Sequence, residues 1–270
     1  MRKLVFFLSL SLSASVFSQQ NDSSKADACF KKADFRCAEV AYQELATKET
    51  NGRLKAGFYN NLGTSQRRLG KTSLAFKSFE NAIKSNPQDL PAYINLASLH
   101  QQKGSKEKAL DYIRLGLMID DTNADLRMIR AKVYEDEKKN ELADREYQDL
   151  IQNAPENLIA RTNYAVFKKN TGKLEEAMKD YNQLISEKPE SLLYNNRADV
   201  YLAMKKYSAA SADIEKAIKL NPKFSQAYVT KAKIQFETGK EKDGCATLDK
   251  ALKSGYETYL ISDLLKKCSN

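Results

Sequence analysis

The sequence contains no tryptophan and only one histidine among its 270 residues, and the shortage of histidine limits its chemistry. His100 alone provides neither a histidine cluster for a metal nor a histidine-dependent catalytic triad. A phosphate loop is also missing, because Ser65 stands where such a loop needs a glycine five residues before Gly70. We therefore expect no enzyme, no cofactor and no metal site. Carboxylates in a groove are the only catalytic groups left open.

Long apolar runs are also missing, except at the N-terminus. There, Arg2 and Lys3 precede an apolar stretch, and Val16 and Ser18 occupy the −3 and −1 positions of a cleavage site before Gln19. A helix of about 14 residues would span only about 21 Å, which is short of a hydrocarbon core of about 30 Å. This favours a cleaved signal peptide at 1–18 over a membrane anchor. We expect an exported bacterial protein, periplasmic or secreted.

Glycine and proline are few, with ten and five residues, and no run of either predicts a flexible linker. The mature chain is therefore expected to fold without a flexible linker between separate domains. Its formal net charge is +9 before the signal peptide is removed. The signal peptide carries two of the positive charges, so the mature charge is about +7, which permits an acidic partner without requiring one. No nucleic-acid partner is expected.

Small residues recur with a nearly constant period, which predicts structural repeats. In the unit 56–89, Gly63 and Ala75 lie on two amphipathic helices that are separated by a turn at Gly70 and terminated by Pro87. Neither helix can bury its apolar stripe alone, so successive pairs must stack. At intervals of 33 or 34 residues, one position of the second helix holds Ala75, Ala109, Ala143, Ala177, Ala210 and Gly244.

The unit resembles the tetratricopeptide repeat, whose pattern is matched by Leu62, Gly63, Ala75, Phe79, Ala82 and Pro87. The resemblance implies an all-α, right-handed superhelical solenoid of stacked helix-turn-helix repeats. We expect an array over 19–258 and a C-terminal capping helix over 259–270, in which Leu260, Leu264 and Leu265 cover the last repeat. The predicted units are about 22–52, 56–89, 90–123, 124–157, 158–190, 191–224 and 225–258.

The four cysteines lie at the two ends of the predicted array. A disulfide requires Cα atoms within about 7 Å, whereas stacked helices about 8–10 Å apart separate the two ends by far more. Only Cys29 with Cys37, and Cys245 with Cys268, can then pair within one molecule. Structural disulfides suit an oxidising compartment. Free thiols are the alternative, and metal binding is a third interpretation.

The resemblance also implies a concave inner face lined by the first helix of each pair. Many residues expected there are amides and hydroxyls, which can bond to an extended peptide backbone. The alternative is that they are ordinary solvated residues. The predicted contacts with a protein or peptide are Asn60, Thr64, Arg67, Asn95, Ser98, Gln101, Lys132, Glu135, Asn163, Asn195, Asn196, Asp199, Lys233 and Phe236.

The turns within the helix pairs are rich in basic residues, which stacking would align along one edge. Cations at helix C-termini favour the helix dipole, but Lys71, Lys106 and Lys173 begin second helices and need another explanation. One hypothesis is that this basic edge docks an acidic protein, anionic lipid headgroups or lipopolysaccharide, and the helix-dipole account is the alternative. For the protein as a whole, we expect an extracytoplasmic scaffold or adaptor. The alternative is a component of a cell-envelope assembly that docks on an anionic membrane surface or an acidic protein. A charge-reversal test of this edge would use Lys138, Lys139, Lys168 and Lys169.

The first prediction concerns processing of the N-terminus. When the full-length chain is expressed in a Gram-negative host, we expect the exported protein to begin at Gln19, because signal peptidase selects small residues at −3 and −1. Intact-mass measurement of the periplasmic fraction checks this. A protein that retains residues 1–18 and sediments with membranes would contradict it.

Overall fold

The computed structural model describes residues 22–268, so the predicted signal peptide at 1–18 lies outside the described residues. The chain divides into two compact units, an N-terminal unit up to Lys138 and a C-terminal unit from Lys139 onward. The described residues contain helices and no strand, and none of these helices combines the length and the apolar character needed to cross a bilayer.

The N-terminal unit consists of helices joined by short turns. The first, α1, covers residues 22–31 of the described chain. It is followed by α2 (Phe35–Lys48), α3 (Gly52–Arg68), α4 (Thr72–Ser85), α5 (Leu90–Gln102), α6 (Lys106–Leu117) and α7 (Ala124–Asp136). From here on, α3, α5 and α7 are called the first helices of this unit, and α2, α4 and α6 are its second helices.

The C-terminal unit continues the same alternation. It contains α8 (Asn140–Asn153), α9 (Leu158–Asn170), α10 (Leu174–Glu187), α11 (Ser191–Ala203), α12 (Tyr207–Leu220), α13 (Ser225–Glu237) and α14 (Glu241–Lys253), then a 3-10 helix at Thr258–Ile261 and α15 (Ser262–Lys266). Its first helices are α9, α11 and α13. The all-α tetratricopeptide-type arrangement predicted from the sequence is therefore confirmed within each unit.

Each apolar cluster joins consecutive helices, so a helix pair is completed by the first helix of the next pair. In the N-terminal unit, Ala97 of α5 and Ile113 of α6 pack with Leu126 of α7. In the C-terminal unit, Tyr181 and Leu184 of α10 pack with Leu193 of α11 in the same way. All six of these side chains are at most 1% exposed. Burial between neighbouring pairs is what makes each short helix stable.

Small residues set the distance between the two helices of a pair. Gly63 of α3 faces the ring of Phe79 on α4, and a Cβ atom built at Gly63 would lie 2.7 Å from the ring. The last pair reverses the arrangement, because Gly244 of α14 faces Phe236 of α13 at the same distance. One member of each contact must therefore lack a side chain so that the other can be an aromatic ring.

Turns between paired helices use the left-handed backbone conformation at one repeated position. Gly70 has φ +74°, and Lys71 N–H then donates to the Gln66 carbonyl at 2.8 Å to close the end of the helix. Lys138 and Lys205 occupy the equivalent position with φ +58° and +57°. A side chain in this conformation costs about 1–2 kcal/mol, which shows that the surrounding packing dictates the turn.

The four cysteines form the two predicted pairs. Cys29 is joined to Cys37, with Cα atoms 5.7 Å apart, and this bond connects α1 to the start of α2. Cys245 of α14 is joined to Cys268, with Cα atoms 5.6 Å apart. Each bond therefore links elements that are neighbours at one end of the chain.

The C-terminal segment differs from the single capping helix that the sequence predicted. It is broken into the 3-10 helix and α15 at Ile261, whose backbone leaves helical geometry at φ −125° and ψ 16°. Ile261 is 3% exposed against the last pair, and Leu264 and Leu265 are partly buried beside it. Leu260, which was expected to cover the last repeat, is 57% exposed. The break places one isoleucine, instead of a continuous helical stripe, over the apolar end.

Replacement of Gly63 by alanine tests the close contact with Phe79. We expect Gly63→Ala to lower the free energy of unfolding by about 1–3 kcal/mol, because the methyl group must displace a fully buried ring. Gly57→Ala, in the same helix, is the matched control. No atom lies within 4 Å of its Cβ position, so we expect a gain of about 0.5–1 kcal/mol. Urea unfolding followed by circular dichroism measures both, and equal effects would contradict the packing argument.

A buried ion pair in the C-terminal unit supports a second stability prediction. Arg197 binds Asp213 through Nε at 2.6 Å and Nη2 at 2.8 Å, and Asp213 is 3% exposed. Arg197→Met leaves that carboxylate buried without its cation, and we expect a loss of about 3 kcal/mol in urea unfolding. The control is Lys231→Met, because its partner Glu215 is 62% exposed. That loss should stay below about 1 kcal/mol.

Candidate functional site

Polar side chains connect the first helices of the N-terminal unit. The Asn95 Nδ2 of α5 donates to the Asn60 Oδ1 of α3 at 2.9 Å. The Gln101 Nε2 of α5 donates to the Asp136 Oδ2 of α7 at 2.7 Å. The structure therefore shows that the amides of Asn60, Asn95 and Gln101 already bond to neighbouring repeats, and their contact with a partner stays a prediction.

Four more of the predicted residues in this unit also have local partners: Thr64, Ser98, Lys132 and Glu135. The Thr64 hydroxyl donates to the carbonyl of Asn60 one turn earlier, and the Ser98 hydroxyl accepts from the Gln102 amide at 3.2 Å. The Lys132 ammonium lies 3.2 Å from Glu135 and 3.6 Å from Asp136. These bonds stabilise the surface before any ligand arrives.

Arg67 differs from these residues because no carboxylate pairs with it among the described residues. Burial lowers the pKa of its guanidinium, and the charge of the neighbouring Arg68 lowers it further. Arginine in proteins keeps its charge at neutral pH. Arg67 is thus a half-buried positive charge at the end of α3.

A groove of about 510 Å³ opens in the C-terminal unit beside α11 and α13. It contains three of the predicted residues, Asp199, Lys233 and Phe236. We call it the C-terminal groove. Its lining consists of Lys169, Asp199, Leu202, Ala203, Lys205, Tyr207, Lys233, Phe236, Glu237, Leu264 and Lys267.

Asp199 organises the polar side of the C-terminal groove. One of its oxygens lies 3.9 Å from the Lys169 ammonium of α9, and the other accepts from the Thr230 hydroxyl of α13 at 3.4 Å. Asp199 thus ties three consecutive first helices together. Among the described residues, Lys205 and Lys233 have no carboxylate within 4 Å, so their charges are available to a ligand.

The C-terminal segment forms one wall of the groove, which sequence analysis did not predict. Leu264 and Lys267 line this wall, and the Lys267 ammonium lies 5.3 Å from the centre of the Phe236 ring. The disulfide from Cys245 to Cys268 holds the segment in place one residue later. The predicted pairing of Cys245 with Cys268 could have revealed this wall from the sequence, because the bond brings the end of the chain back to the last helix pair.

Two of the predicted contact residues are less accessible than expected. Asn195 is 1% exposed, and its Oδ1 has no hydrogen-bond partner among the described residues. Its Nδ2 lies 3.5 Å from the Asn196 Oδ1. Phe236 is 9% exposed, so it forms the floor of the groove and presents little surface to solvent. Asn163 and Asn196 are half-buried. Stacking of α11 between its neighbours covers Asn195, so it cannot meet a partner directly.

Three lysines of the basic edge predicted from the turns have partners within the molecule. The Lys71 ammonium binds Glu39 at 2.6 Å, and that of Lys106 donates to the Asp136 carbonyl at 2.7 Å. Lys173 lies 3.6 Å from Asp144. All three contacts reach a neighbouring repeat. Contacts between repeats therefore account for the lysines that the helix dipole did not explain.

Lys168, which the sequence placed on this edge, is buried. It is 9% exposed, binds Asp180 at 2.7 Å and lies over the Tyr164 ring at 4.2 Å. Reversing its charge would disrupt this packing, so Lys168 does not belong in a test of the surface.

The single histidine packs against two rings in the N-terminal unit. His100 lies 4.6 Å from the Phe76 ring and stacks on Tyr112 at 5.5 Å. Burial lowers the pKa of its imidazole, and the charge of nearby Lys108 acts in the same direction. Within residues 22–268, no three His, Cys, Asp or Glu side chains are grouped to hold a metal ion.

Comparison with known proteins adds three kinds of match. Models described as the tetratricopeptide repeat match residues 67–133, 159–191 and 191–224. The crystal structure of a tetratricopeptide repeat protein from Parabacteroides merdae superimposes with a TM-score of 0.80 at 29% identity. That match covers 94% of this chain and 99% of the other.

Two curated relatives are similar over parts of their length. The type IV pilus assembly protein PilF of Pseudomonas aeruginosa is 30% identical over 159 residues, which cover 57% of this chain and 63% of the relative. The heat shock protein sti1 homolog of Schizosaccharomyces pombe is 28% identical over 187 residues, which cover 66% of this chain and 30% of the relative. The chain therefore spans less than two thirds of each relative.

Proposed function

This chain belongs to the tetratricopeptide repeat family, and from that premise we propose that it is a non-catalytic scaffold or adaptor outside the cytoplasm. Its first helices would bind a protein or peptide partner. The observation that carries the proposal is the C-terminal groove of about 510 Å³, which opens beside the first helices and combines apolar and charged residues. Such a surface suits recognition of a chain segment.

The chemistry of the first helices supports peptide binding. Amides such as Asn95 and Gln101 can both donate to and accept from a peptide backbone. Because these amides already bond to Asn60 and Asp136, a ligand would exchange one hydrogen bond for another. The exchange costs little when the new bond is equally good, so these first helices of the N-terminal unit suit sequence-tolerant binding.

Two observations support a location outside the cytoplasm. Both cysteine pairs are at disulfide distance, and persistent disulfides are typical of oxidising compartments. One relative is named a pilus assembly protein, and a pilus lies outside the cytoplasm. The expected signal peptide at 1–18 agrees with this location.

The same relative supports a second candidate, an accessory component of a cell-envelope assembly. In this case the partner would be another protein of the assembly. The basic edge contributes less than the sequence suggested, because Lys71, Lys106 and Lys173 have partners within the molecule. Docking on an anionic membrane surface therefore stays a prediction of the sequence alone.

Site-specific photo-crosslinking tests the proposed binding face. A photoreactive amino acid in place of Asn196 or Lys233, on first helices, should capture a partner from the cell envelope. The same amino acid in place of Lys216, an exposed residue of the second helix α12, is the matched control and should capture none. Mass spectrometry of the adducts gives the partner. Equal capture from all three positions, or capture from position 216 alone, would contradict the proposal.

A further inference from the structure

The C-terminal groove has an excess of positive charge. Four lysines and two acidic residues line it. One lysine, Lys169, is balanced by Asp199 at 3.9 Å. The other acidic residue, Glu237, is exposed at the rim. The groove therefore keeps three positive charges, from Lys205, Lys233 and Lys267, and Glu237 is the one carboxylate left to offset them. This excess favours an anionic ligand.

The floor of the same groove is apolar. Phe236 lies at its base, and Leu202, Tyr207 and Leu264 contribute further apolar surface. An apolar floor below cationic walls fits a ligand that carries an aliphatic or aromatic side chain between acidic groups. Buried apolar area then supplies affinity, while the charges supply orientation and partner choice.

A protein segment satisfies these requirements better than a lipid headgroup or a phosphate. Asp199 and Glu237 can accept hydrogen bonds from the backbone N–H groups of a peptide, which a phosphate does not offer. A volume of about 510 Å³ also matches a few residues of extended chain. The occupant that the groove favours is thus an acidic peptide segment.

One wall of the groove depends on a covalent bond. The 3-10 helix at Thr258–Ile261 has four residues and α15 has five, and helices this short do not form alone in water. Besides the buried Ile261 and the partly buried Leu264 and Leu265, the bond from Cys245 to Cys268 holds the segment against α14. Loss of the bond would release Leu264 and Lys267 from the groove.

We propose that the C-terminal groove binds an acidic segment of the partner containing one apolar residue, and that the bond between Cys245 and Cys268 is required to complete the site. This inference rests on the proposed function. It specifies the class of ligand that the site binds and the disulfide that controls binding. An external dithiol would reduce this bond to the Cys245 and Cys268 thiols and would itself be oxidised to a disulfide. The reduction would weaken binding by removing an ordered wall, so partner binding would follow the redox state of the compartment. Preorganisation explains the effect, since a mobile wall must be ordered again at each binding event.

Fluorescence anisotropy with a defined probe tests the ligand class. The probe is a labelled peptide of four acidic residues around one phenylalanine, with both ends blocked. We expect saturable binding that weakens as salt rises, because the contacts are electrostatic. Peptides with lysine in place of the acids, or alanine in place of the phenylalanine, should bind at least about tenfold more weakly. Absence of saturable binding up to about 1 mM overturns the inference. So does tighter binding of the intact protein to vesicles of anionic lipid.

Charge reversal locates the binding in the groove. We expect Lys205→Glu with Lys233→Glu to weaken probe binding at least about tenfold. Lys223→Glu with Lys242→Glu is the matched control, because these residues are exposed in the same unit, lie outside the groove and change the net charge equally. Unchanged binding in the control pair supports the site. Equal losses in both pairs overturn it, because the effect would then come from net charge alone.

Removal of each disulfide in turn tests the control of the site. Cys245→Ser with Cys268→Ser should weaken probe binding about tenfold, whereas Cys29→Ser with Cys37→Ser removes the other bond and should leave binding unchanged. Circular dichroism monitors folding. If the first pair does not fold, Lys267→Glu with the disulfide intact serves instead and should weaken binding. The inference is overturned if the affinity for the probe changes neither on removal of the bond between Cys245 and Cys268 nor in Lys267→Glu.

Crosslinking separates failure of this inference from failure of the proposed function. If position 233 still captures a partner while the acidic probe does not bind, the ligand class is wrong and the binding face stands. If neither occurs, both are wrong.

Discussion

The structure depends on the close approach of the two helices within each pair. That approach requires a small residue opposite a large one, as Gly63 lies opposite Phe79 and, in reverse order, Gly244 lies opposite Phe236. The contact sets how closely a pair packs and which apolar side chains face the next first helix. Apolar clusters then join three consecutive helices. A solenoid of this kind is stable because every pair completes its neighbour.

The binding surface follows from the same stacking. First helices lie next to first helices, so side chains one repeat apart in sequence meet in space. Asn60 meets Asn95, and Asp199 contacts both Lys169 and Thr230. These contacts use polar groups that would otherwise be solvated, and they give the face its shape before a partner arrives. Within the C-terminal unit, the groove lies where α11 and α13 meet the C-terminal segment.

The lysines show how a correct pattern can have a different cause. Their recurrence in the turns suggested a surface for an external anion. In the structure, Lys71, Lys106 and Lys173 each reach a neighbouring repeat, and Lys168 is buried beside Asp180. A period of 34 residues aligns like positions, but it does not show whether a long side chain points to solvent or to the next repeat.

The sequence alone determined the helical class, the repeat family, the turn at Gly70 and which cysteines can pair, because each follows from local spacing or from the period. Only the tertiary structure decided that Asn195 is covered, that the capping segment breaks at Ile261 and that Lys267 faces Phe236. The burial of a side chain depends on which neighbours stacking brings to it. The C-terminal segment has no counterpart in the other repeats, so no period could predict its course or the wall it forms.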